Sequence, residues 1–94
     1  MDLPTFKATL NEQAPPGGLA KAVEALWRVA KGEWDQAHEL AQDQADGDGA
    51  WVHAHLHRVE GDLKNAAHWY RRADQPECTT PLDAEWDEIA TALL

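Results

Sequence analysis

Two glycine-led stretches of the chain repeat one another 29 residues apart. Gly32-Glu33-Trp34-Asp35-Gln36-Ala37 and Gly61-Asp62-Leu63-Lys64-Asn65-Ala66 share the order glycine, acid, large apolar residue, two polar residues, alanine. The same step lays Val23 on Val52, Ala25 on Ala54 and Trp27 on Leu56. Physically this is a helix hairpin written twice. Glycine takes the tight turn, the apolar residue two places on staples the second helix to the first, and alanine lets the axes approach.

The residues between these breaks keep helical periodicity. Pro15-Pro16-Gly17-Gly18 sets off residues 1–18 as a loosely ordered segment with at best one short helix, Thr5–Leu10. Hairpin 1 covers residues 19–46. Its first helix runs from Leu19 to Lys31, with Leu19, Ala22, Val23, Leu26, Trp27 and Ala30 on one stripe. Its second runs from Trp34 to Asp46 with Trp34, Ala37, Leu40, Ala41 and Ala45 inward. Gly47 and Gly49 are read as releasing that helix, with Asp48 capping the next. Hairpin 2 covers residues 49–75, with helices from Ala50 to Glu60 and from Asp62 to Ala73. Residues 80–94 read as a capping helix, Thr80 as N-cap, Pro81 at N1 and Asp83 at N3. β-branched residues are few and never alternate with polar ones over a strand length. The fold class is therefore all-α: two antiparallel helix hairpins and a C-terminal capping helix in one domain.

The hairpin pattern resembles the tetratricopeptide repeat, whose hairpins carry glycine at the turn, an aromatic two residues later, alanine five after the glycine and an aromatic four beyond. Gly61, Leu63, Ala66 and Tyr70 stand in those places, and Gly32, Trp34, Ala37 and Ala41 in the equivalent ones. The likeness spans about residues 19–75. It implies a non-catalytic helical scaffold that holds a protein or peptide, its core closed by the last helix or by another chain. The stretch from Trp51-Val52-His53 through Tyr70-Arg71-Arg72 is also similar to a small family of short proteins, which brings no activity with it.

Charge narrows the partners. Eight Lys and Arg stand against 17 Asp and Glu, a formal charge of −9. Nucleic acid needs a basic face, and an anionic membrane surface would repel this one, so neither is expected. The expected partner is a protein, a peptide or a second copy of the chain. A single cysteine, Cys78, gives no internal disulfide and fits a reducing cytoplasm. The chain has no serine, Gly17-Gly18 lacks the Lys-Ser/Thr of a phosphate loop, and Cys78 has no adjacent base. No catalytic residue and no cofactor are assigned. Five tryptophans are a surplus for 94 residues. Trp27, Trp34 and Trp86 fall on inward faces; Trp51 and Trp69 do not, and are where a partner would anchor.

Four of the five histidines, His53, His55, His57 and His68, lie within 16 residues. On a helix His55 points roughly 160–200° away from His53 and His57. His53, His57 and Glu60 share a face and could hold a divalent transition metal. Alternatively, the two imidazoles pack inward and hydrogen-bond Glu60, an indole N–H or a neighbouring helix. His38-Glu39 reads as a solvated face, because Gln42 replaces the second histidine of a zinc-protease motif. On the next helix Asn65, His68, Trp69 and Arg72 share a face. Half the cations, Arg58, Lys64, Arg71 and Arg72, crowd between residues 58 and 72. They would take a ligand's carboxylate or phosphate, or pair with the acidic last helix through Asp83, Glu85, Asp87 and Glu88. The candidate ligand- or partner-binding residues are Trp51, His53, His57, Arg58, Glu60, Asn65, Trp69 and Arg72.

Overall fold

A computed structural model describes all 94 residues, with six α-helices and no strand. They are α1 (Leu3–Ala8), followed by a 3-10 turn (Thr9–Asn11), α2 (Lys21–Ala30), α3 (Trp34–Asp43), α4 (Gly47–Val59), α5 (Leu63–Ala73) and α6 (Leu82–Leu93). None is long and apolar enough to cross a membrane.

The two glycine turns are the same object. Gly32 and Gly61 take φ of +79° and +84°, open to glycine at little steric cost. The amides of Gly32 and Glu33 donate to the carbonyls of Val29 and Arg28; those of Gly61 and Asp62 donate to Arg58 and His57 in the same pattern. Both are Schellman closures, which satisfy the last helical carbonyls before the chain reverses. A third closure follows α5, with Asp74 rather than glycine at the left-handed position, φ 56°. Ala37 and Ala66 are buried in their hairpins as the repeat requires. The apolar staple holds only in hairpin 1. Leu63, the counterpart of Trp34, is 65% exposed.

Helix starts depart from the sequence reading in two places. Gly47 and Gly49 lie inside α4 and do not release α3, which ends at Asp43. The N-cap is Asp46 in place of Asp48; its Oδ1 accepts from the Gly49 amide at 3.0 Å. Gly49 is required by proximity, since a Cβ there would lie 1.8 Å from the Gln44 carbonyl oxygen. Thr80 does not cap α6 either. Pro81 holds the N-cap position, and the Thr80 carbonyl instead accepts from Arg58 Nη2 at 2.5 Å.

The core gathers Phe6, Val23, Leu26, Trp27, Val52, Leu56, Trp86 and Ile89 with small residues of α2, α3 and α6. The N-terminal segment, expected to be loose, thus supplies a fully buried Phe6, stacked on Trp86 with ring centres 5.8 Å apart. The indole N–H groups of Trp27 and Trp86 donate to the carbonyls of Thr9 and Leu26. α5 closes a smaller cluster of Ala54, Ala66 and Tyr70. Between the clusters runs α4, packed against α2, α3, α5 and α6, with every residue from Val52 to His57 buried. Three histidines therefore enter the interior on one helix, and each needs polar company there.

Candidate metal centre

His53 and His57 leave α4 toward α3, one turn apart, and meet His38 coming the other way. Ligand atoms from the three imidazoles lie within 4.8 Å of one another. The rings sit between two indoles. Trp34 stacks on His38 at 4.9 Å and 10°, and Trp69 of α5 stacks on His53 at 3.8 Å and 13°. Stacking uses ring faces, whereas coordination uses nitrogens in the ring plane. The indoles thus fix the rings without occupying the donors.

Glu60 completes the arrangement from behind. Its Oε1 lies 2.6 Å from His57 Nδ1. The carboxylate orients the ring and leaves Nε2 for a ligand, as carboxylates behind metal-bound histidines do. The sequence reading made Glu60 a third ligand beside His53 and His57. In the structure His38 of α3 joins the two imidazoles, while Glu60 bonds His57 from behind and also lies within 4.8 Å of His57 and Asp62. Burial, reinforced by the neighbouring His38 and His57, lowers the His53 pKa to about 4. Burial and then His57 lower that of His38. Both rings are therefore neutral at pH 7 with a lone pair free, the state a metal ion requires.

The remaining candidates divide. Arg72 lies over the Trp69 ring at 5.1 Å. Trp51 is half-buried between the two core clusters. Asn65 contributes its backbone amide to the Asp62 cap of α5. Arg58 turns to the opposite side of α4, where Nη1 binds Glu85 Oε1 at 2.9 Å. The expected pairing with the acidic last helix is thus made by Arg58, while Arg71 and Arg72 stay exposed. Glu85 itself is 1% exposed and receives three partners: His55 Nδ1 at 2.7 Å, Arg58, and the Tyr70 hydroxyl. Burial alone would raise its pKa, but the bonds from His55, Tyr70 and Arg58 hold it down at about 2. The same burial and bond push the Tyr70 phenol upward.

The incomplete zinc-protease motif conceals His38, whose signal is its phase on α3. It follows Trp34 by four residues, so the two share a helix face. In the sequence Glu85 is one acid among four on the last helix.

No protein-family model, curated protein or solved structure matches the chain. The tetratricopeptide likeness accordingly rests on the hairpin pattern alone.

Proposed function

We propose that the protein binds a divalent transition-metal ion, zinc foremost, through His38, His53 and His57, with Glu60 orienting His57. The observation that carries the reading is the convergence of three imidazoles from two helices, two of them depressed in pKa and walled by indoles. Zinc takes nitrogen at about 2.0–2.1 Å, so the rings would draw inward by small rotations. A fourth position would be left to water or a ligand. The test uses untagged protein. Cobalt should give the visible bands of a tetrahedral site, zinc should displace it, and His38→Ala should abolish both with the helical circular dichroism unchanged. A melting temperature unmoved by zinc, with no cobalt spectrum, would overturn the reading.

A second reading, a non-catalytic interaction module that docks a protein, a peptide or another copy, has its own support. Val59 and Leu63 flank the Gly61 turn and are 38% and 65% exposed. Leu63→Glu should then abolish any dimer seen by light scattering. Both readings take the protein as cytoplasmic, with Cys78 kept as a thiol.

A further inference from the structure

The third buried histidine faces the other way. His55 is 2% exposed, and its Nδ1 is committed to Glu85. Glu85 is bound at once by a guanidinium and a phenol hydroxyl, so it is a carboxylate and can only accept. The Nδ1–H of His55 therefore donates to Glu85, and Nε2 is the ring nitrogen left over. No group of the chain hydrogen-bonds that nitrogen.

His55 forms part of the wall of a cavity of about 430 Å³. The cavity lies between the turn after α1, the end of α2, the end of α4 and the start of α6. Leu10, Val29, Val59, Leu82 and Trp86 make its apolar sides, and the exposed Asp83 and the Lys7–Asp87 ion pair, 2.8 Å, bring charge to its lining. A mostly apolar pocket with a few placed polar groups is the usual form of a small-molecule site, and here the buried one is His55. A hydrocarbon would leave the imidazole nitrogen unpaired, whereas a hydroxyl can both donate and accept.

We propose that this cavity binds a small, mainly apolar molecule bearing one hydroxyl, an alcohol or a phenol, which hydrogen-bonds His55 Nε2. The site is separate from the three-histidine cluster, across α4 from it, and owes nothing to a metal. Glu85, Arg58 and Tyr70 act as positioning residues, holding the imidazole in one orientation.

The experiment uses the full chain without added metal and two probes of similar shape, 2-naphthol and 2-methylnaphthalene. Calorimetry should show 2-naphthol binding, and amide spectra should place it at Val29, Val59 and the Trp86 indole. The methyl analogue should bind roughly three- to tenfold more weakly, the worth of one hydrogen bond. Ala30→Phe, on the exposed wall of the cavity, should remove binding of both probes while leaving the fold intact. His55→Phe should erase the preference for the hydroxyl; should it fail to fold, Ala30→Phe and the probe pair still decide. No binding of 2-naphthol, equal binding of the two probes, or undiminished binding by Ala30→Phe would each overturn the proposal.

Discussion

Glu85 illustrates how much a single buried side chain can hold. One carboxylate from α6 takes a hydrogen-bond donor from each of three residues on α4 and α5, so a single side chain ties both helices to α6. Removing it strands a guanidinium, an imidazole and a phenol in the interior. Glu85→Ala should therefore cost about 3–5 kcal/mol, read by denaturant unfolding. Tyr70→Phe, which takes away one donor and leaves the charge paired, should cost only about 1–3 kcal/mol. Across α4, Glu60→Gln keeps the size and loses the charge that steadies His57. It should weaken zinc binding roughly tenfold or more without moving the stability of the metal-free protein. A helical phase places His55 opposite His53 and His57, and that much is legible in residues 53–57 alone. The Glu85 partnership joins residues 30 positions apart, and nothing local marks which of four acids on α6 turns inward.

At the scale of helices, the turns were the most legible part of the fold. The Schellman closures at Gly32 and Gly61 follow from glycine placed after a helical run, and the chain repeats the device. The third closure uses Asp74 where glycine costs least. Asp74→Gly should stabilise by about 0.5–1 kcal/mol, seen as a higher melting temperature, because relief of the left-handed strain outweighs the added flexibility of the unfolded chain. Gly49 gives the opposite lesson. In sequence Gly47 and Gly49 look like a helix stop, yet Gly49 sits in the first turn of α4 because the Gln44 backbone passes over it. That approach is a tertiary fact with no local signature. Gly49→Ala should destabilise by about 3 kcal/mol or more, or prevent folding, even though alanine is the better helix former.

For the whole molecule, a central helix that buries three histidines sets the response to acid. His53 has its pKa depressed to about 4 in the fold against an ordinary 6.5, so the unfolded chain binds the proton more readily. Its contribution is undisturbed above pH 6.5 and is lost as the pH falls from there to about 4. Glu85, held at about 2 against an ordinary 4.5, contributes fully above that range and fails between pH 4.5 and 2. Thermal unfolding followed against pH should show two successive declines, and His53→Gln should shrink the upper one, to which His38 also contributes. Hairpin 1 carries one further consequence. The Ala22 amide at the start of α2 donates to Gln44 Oε1 at 2.7 Å, the Gln44 amide group reaches Asp46, and Asp46 caps α4. Two helix starts thus share a single clasp beyond the end of α3, and neither can fray by itself. In native-state hydrogen exchange the amides of Ala22 and Gly49 should open as one unit, and Gln44→Ala should release both.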